Sequence, residues 1–238
     1  MTLDISRIQV LCFDVDGTLN ETDNQWVSRI TRWLHPIRFI FPNGDPLPVA
    51  RRMVMSIEGP GNFIFNVPDR LGIDDEMVAI GDYLHRLGWK FNHGPSLLIP
   101  GTRKAIRQLQ PHYPMAIVTN RGERTTRSFL AEVQLQNVFH PIATAQTCEY
   151  AKPYPDPIHW VADQLGVAPE VCLMIGDTTV DIEAGNAAGS QTVGVLCGFG
   201  ENEELWDSGA DLILSSTADL PAILLNDSNF SAPINHQI

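Results

Sequence analysis

The run Ile8-Gln9-Val10-Leu11-Cys12-Phe13, followed at once by Asp14-Val15-Asp16-Gly17-Thr18-Leu19, constrains this chain more than any other stretch. A short apolar run with β-branched and bulky residues, closed by a glycine turn, predicts a strand buried on both faces, as in parallel sheets. Carboxylates at the carboxyl end of such a strand stand where open α/β sheets bind ligands. Strand pleating puts Asp14 and Asp16 on one side, and Gly17 lets the backbone turn away. Two carboxylates side by side are unfavourable unless a cation or a shared proton relieves them. An Asp-Gly turn after a strand is common by itself. The whole string from Phe13 to Leu19 is much more specific.

The rest of the chain has the make-up of a soluble globular protein. At 238 residues, with 44% hydrophobic and 18% charged residues, it has length for one large domain or a core plus a smaller insert. The formal net charge of -12 disfavours a nucleic-acid backbone or an anionic membrane as partner. Lys90, Lys104 and Lys152 are the three lysines, so each can be weighed singly. Cys12, Cys148, Cys172 and Cys197 show no CxxC spacing, which points to reduced thiols and not to disulfides or a zinc site. With no apolar run of membrane-spanning length and no secretory leader pattern, the expected location is cytoplasmic.

From position 100 onward, apolar runs alternate with helical patterns. Met115 to Val118, Cys172 to Ile175, Thr192 to Cys197 and Asp211 to Leu214 read as strands, and Ile142 to Thr144 as a weaker one. Thr102 to Gln110, Glu123 to Gln134, Ile158 to Gly166 and Thr179 to Ala188 read as helices. Such alternation predicts βαβ units, a parallel sheet and right-handed crossovers. Between 20 and 99 the pattern changes. Trp26, Val27, Ile30, Trp33, Leu34 and Ile37 keep helical spacing until Pro36 breaks it, and 49–57 and 76–87 also read as helices. The expected organisation is α/β: a Rossmann-like parallel-sheet core (1–20 and 99–225) with an inserted α-helical cap (21–98). Linkers are expected over 20–23 and 98–101, and a loosely ordered tail over 226–238.

Three further signals carry chemistry. Thr119-Asn120-Arg121-Gly122 ends a strand with a hydroxyl, an amide and a helix start, a setting suited to oxyanions, although a Thr-Asn turn more often only caps a helix. Lys152 stands before Pro153 and Pro155, where the backbone is restricted. Gly176-Asp177 ends an apolar strand, and Asp181 follows within the first turn of the next helix, where the dipole favours an acid.

Taken in order, the DxD string, Thr119, the LysPro-x-Pro segment and the GDxxxD run resemble the four motifs of the haloacid dehalogenase superfamily in its phosphatase branch. The resemblance covers 5–20 and 99 to about 220. It implies a nucleophile at Asp14 and an acid–base at Asp16. It further implies phosphoryl binding by Thr119, Asn120 and Lys152, and Mg²⁺ held by Asp14, Asp16 (through its carbonyl), Asp177 and Asp181. Carboxylates roughly 4 Å apart repel by about 4 kcal/mol per pair at an effective dielectric of about 20, so four converging acids call for a hard divalent cation. Asp16 argues against carbon–halogen chemistry, and Lys90 is poorly placed for the Schiff base of a phosphonatase. The resemblance thus implies a Mg²⁺-dependent hydrolase of small phosphorylated metabolites, phosphoglycolate phosphatase-like in layout. A phosphosugar mutase of β-phosphoglucomutase type and a non-catalytic binding module remain as alternatives. Arg51, Arg52, Arg70, His85 and His93 are the cap residues that could meet a second anionic group of the substrate.

Overall fold

The computed structural model describes residues 3–21, 30–41, 44–46, 49 and 97–225. The backbone divides into two compact units, Met1–Asp23 with Ser96–Ile238, and Asn24–Pro95. The first unit is built on a six-stranded parallel sheet: β1 (Val10–Phe13), β2 (Met115–Val118), β3 (Ile142–Ala143), β4 (Cys172–Gly176), β5 (Gln191–Val195) and β6 (Leu212–Leu214). The spatial order is β3-β2-β1-β4-β5-β6, so the chain builds outward on one side of β1 and then crosses to the other. This is the doubly wound, Rossmann-like arrangement, whose topological switch lies at β1.

Helices cover both faces of this sheet. Leu11 and Phe13 of β1 join Ile117, Leu173 and Ile175 in one core layer. That layer packs on Ile106 and Leu109 of α1 (Thr102–Leu109), Phe129 and Leu130 of α2 (Glu123–Glu132), and Leu220 and Leu224 of α6 (Leu220–Leu224). Val10 and Cys12 point the other way, with Ala116, Val118 and Met174. This second layer rests on Ile158, Val161 and Ala162 of α3 (Asp156–Leu165) and on Ala184 and Ala188 of α4 (Thr179–Ala188). Burial on two faces is why β1 reads as an unbroken apolar run and not as an alternating one. A short helix, α5 (Asn202–Asp207), precedes β6.

Element boundaries differ from expectation by a few residues, for local reasons. The α3 helix starts at Asp156, two residues early, because Pro155 caps it and Pro157 sits in its first turn, where no backbone N–H is needed. The α2 helix stops at Glu132, and Gln134 then takes the left-handed conformation at φ 56°. Gly101, at φ 86°, opens α1, and a Cβ there would press on Ala218.

In the second unit, residues 30–34 are helical and a 3₁₀ segment, His35–Ile40, follows with Pro36 in its first turn. Pro36 ends the α-helix as its ring requires. Leu34 is buried, whereas Trp33, Ile37, Phe39 and Ile40 are exposed. Apart from position 49, the helices expected over 49–57 and 76–87 lie outside the described residues. So do Arg51, Arg52, Arg70, His85, His93 and the tail 226–238. Among the described residues no helix is long and apolar enough to cross a membrane.

Candidate active site

Asp14, Thr119 and Asp177 leave the carboxyl ends of three adjacent strands, β1, β2 and β4. Parallel pairing sets their level: Phe13 lies beside Ile117 and Ile175, and the Asp14 N–H donates to the Ile175 carbonyl at 2.9 Å. Thr119 is held to β3 by its N–H on the Ala143 carbonyl (3.0 Å). Beyond Asp14 the chain curls sharply. The N–H groups of Leu19 and Asn20 both donate to the Val15 carbonyl, at 2.9 and 2.8 Å, and Gly17 makes the turn at φ 76°. Asn20 then pairs antiparallel with Leu98, and the Glu21 N–H reaches the Leu97 carbonyl (2.8 Å).

Lys152 is the electrostatic centre. Its Nζ donates to Asp14 Oδ1 at 2.7 Å and to Asp181 Oδ1 at 2.5 Å, with the lysine and both acids buried. The other oxygen of Asp181 accepts from the N–H and hydroxyl of Thr178, at 3.1 and 2.8 Å, so the first turn of α4 fixes that carboxylate. The Asn120 amide donates to the Lys152 carbonyl (2.9 Å), bracing the lysine's loop against the end of β2. Asn120 is therefore a strut in its side chain. What it can offer an anion is its backbone N–H, next to the Thr119 hydroxyl.

Asp177 is fully buried and anchored from two sides. The Thr18 hydroxyl donates to Oδ1 at 3.0 Å, and the Phe199 N–H donates to Oδ2 at 2.9 Å. The loop after β5 can close on Asp177 only because Gly198 and Gly200 lack side chains. A Cβ at 198 would overlap the Asp177 carboxylate, and one at 200 would overlap its backbone carbonyl.

Asp16 faces a different neighbour. Arg121 Nη1 donates to its Oδ1 at 3.0 Å and Asn20 Nδ2 to the same oxygen at 3.3 Å, while the guanidinium lies 5.8 Å from the centre of the Phe129 ring. The sequence reading gave Arg121, Thr18, Asn20 and Phe199 no role. The signals lay in Arg121's place directly after Thr119-Asn120, and in the Gly-x-Gly spacing behind β5.

Asp14, Asp177 and Asp181 each present an oxygen within 4.8 Å of the other two, whereas the Asp16 carboxylate is outside this trio. Asp14 and Asp181 share the Lys152 ammonium, and Asp177 brings a third buried carboxylate to the same point. Burial pushes the Asp14 carboxyl up to about 7; Lys152 opposes the rise, and Asp181 and Asp16 add to it. Burial by itself would discharge Lys152, but Asp14 and Asp181 outweigh it and hold the ammonium well above its ordinary value. A converging all-oxygen donor set of this kind fits a hard divalent cation.

Sequence relatives agree with this geometry. The chain is 26% identical to a phosphoglycolate phosphatase of Pseudomonas putida over 227 residues, 91% of this chain and 78% of that one. It is 29% identical to the pyrophosphatase PpaX of Anoxybacillus flavithermus over 226 residues, 92% of this chain and 97% of that one. A crystal structure of a hydrolase from Pseudomonas syringae shares the fold at TM-score 0.67 and 24% identity, covering 91% of this chain and 97% of that one. The family model described as haloacid dehalogenase-like hydrolase matches residues 11–195, from inside β1 to the end of β5, and so spans every strand end that carries a site residue. With the motifs, the sheet order and this match in agreement, the chain belongs to the haloacid dehalogenase-like hydrolases.

Proposed function

We propose that this hydrolase removes phosphate from a small phosphorylated metabolite through a phosphoryl group carried on Asp14. One observation supports this above the others: a buried carboxylate at the end of β1, bridged by a buried ammonium to a second acid and flanked by a third. Asp14 attacks phosphorus as the ester P–O bond breaks, and Asp16 gives its proton to the departing oxygen. Asp16 then takes a proton from water as the water oxygen attacks phosphorus and the bond to Asp14 breaks. Thr119, the Asn120 N–H and Lys152 hold the phosphoryl oxygens. Lys152 also keeps Asp14 in place for attack.

The residues that would hold a cation are Asp14, Asp177 and Asp181, with the Asp16 carbonyl. When bound, Mg²⁺ would supply charge neutralisation between a carboxylate and a phosphate dianion. The inserted segment, 24–95, is assigned as the cap that selects the substrate. The names of the relatives make phosphoglycolate the first metabolite to test, with inorganic pyrophosphate second.

The test is phosphate release from a panel of phosphorylated metabolites, with Mg²⁺ and with chelator. Turnover is expected only with the metal, and Asp14→Asn should abolish it together with any trapped phosphoryl-enzyme. Full turnover without divalent metal sinks the assignment of the acidic trio. Conversion of β-glucose 1-phosphate to glucose 6-phosphate without free phosphate replaces the hydrolase reading with a mutase.

A further inference from the structure

We propose that Arg121 is a positioning residue for Asp16, holding its side chain where it can deliver a proton to the leaving group. The inference rests on the reading of Asp16 as the acid–base. Arg121 connects two parts of the site: its N–H donates to the Thr119 hydroxyl at 3.2 Å, and its Nη1 reaches Asp16 Oδ1 at 3.0 Å. The guanidinium is itself steadied, lying 5.8 Å from the Phe129 ring centre, and Phe129 is buried in the core. A charged donor so steadied holds the Asp16 carboxyl in position.

Arg121 and Asn20 both converge on Oδ1 and so tie the Asp16 side chain to the ends of β2 and of the turn after β1. Without Arg121 the carboxyl can turn about its terminal torsion, which has a broad profile. The proton then reaches the leaving oxygen from a poorly aligned donor. An activated leaving group needs no proton, so it should not register the loss.

The experiment measures single-turnover release of the leaving group, which isolates the first phosphoryl transfer, from phosphoglycolate (an alkyl phosphate) and from p-nitrophenyl phosphate. Asp16→Asn should slow release from phosphoglycolate by roughly 10²–10⁴ and barely affect p-nitrophenolate release. Arg121→Gln should give the same pattern in weaker form. A loss of about 10- to 100-fold with phosphoglycolate is expected, under about threefold with p-nitrophenyl phosphate, and no change in the concentration that half-saturates either. Arg121→Lys, which keeps the charge but not the guanidinium's reach and its place over Phe129, should recover part of the loss. Retained p-nitrophenolate release is also the check that the variants fold.

Equal losses on both substrates, no loss on either, or weaker saturation at an unchanged rate would each overturn the proposal, the last by making Arg121 a substrate contact. If Asp16→Asn shows the leaving-group dependence and Arg121→Gln does not, only the assignment of Arg121 fails. If neither shows it, the reading of Asp16 fails with it.

Discussion

At the scale of single residues, Lys152 holds together charges that would otherwise repel. Its ammonium is shared by Asp14 and Asp181 within a buried site. Replacing it by a neutral chain of similar length, Lys152→Met, leaves two buried carboxylates without their cation. Losing one partner of a buried ion pair typically destabilises by about 3–5 kcal/mol. The metal-free variant should therefore unfold at clearly lower urea than metal-free wild type, with an unchanged slope. A shift below about 1 kcal/mol would show that the acids find another partner.

Asp14 adds a pH signature. Its folded carboxyl is raised from an ordinary 3.8 to about 7, so the metal-free folded state keeps a proton that the unfolded chain has already released. The resulting stability is complete below about pH 4 and is lost as pH rises through about 7. A bound cation needs the ionised form and reverses that trend. Thermal stabilisation by Mg²⁺ should be larger at about pH 8 than at about pH 5, and a pH-independent gain would place the cation away from Asp14. Asp14, Asp16, Lys152, Asp177 and Asp181 were all legible as residues of interest, because acids at strand ends and one scarce lysine stand out in a sequence. Arg121 was not. Its contact with Asp16 depends on how far a side chain reaches across from β2 to the loop after β1, a distance that no local pattern encodes.

At the scale of elements, the sheet was legible because its strands are buried on both faces and so write themselves as apolar runs. The short edge elements were harder. The β3 strand has two residues, and α5 and α6 have six and five, too few for periodicity to speak. Helix ends were missed where prolines or a left-handed non-glycine residue set the boundary, as at Pro155 and Gln134. The loop from β5 to α5 had no expected role, yet it lies against Asp177 and walls the acidic trio on that side. Its closeness to Asp177 gives a sharp test: Gly198→Ala puts a methyl group where the carboxylate now lies. Orienting groups around a metal ligand commonly contribute 10- to 100-fold in affinity, so Mg²⁺ binding should weaken by about tenfold or more. Titration of Mg²⁺ against protein fluorescence would measure it. Unchanged affinity would mean that Asp177 is not a ligand, or that the loop yields freely.

At the scale of the whole molecule, the chain departs from the core after Glu21 and returns at Leu97, and the two points are hydrogen-bonded to each other. Replacing 24–95 by a short Gly-Ser connection therefore asks the core to close a loop whose ends already meet. Closing a shorter flexible loop costs less entropy, since the penalty grows with the logarithm of loop length. The shortened protein should unfold in one cooperative step and still bind Mg²⁺, while its preference among phosphorylated metabolites changes. A molten product, without near-ultraviolet circular dichroism, would show that the core leans on the insert for its packing. The paired crossing at Asn20 and Leu98 thus works as a socket: one fixed pair of terminals into which segments of differing length and shape can be plugged. A lineage carrying such a socket can exchange its insert by recombination at a single place, and leave untouched the strand ends where the buried acids gather.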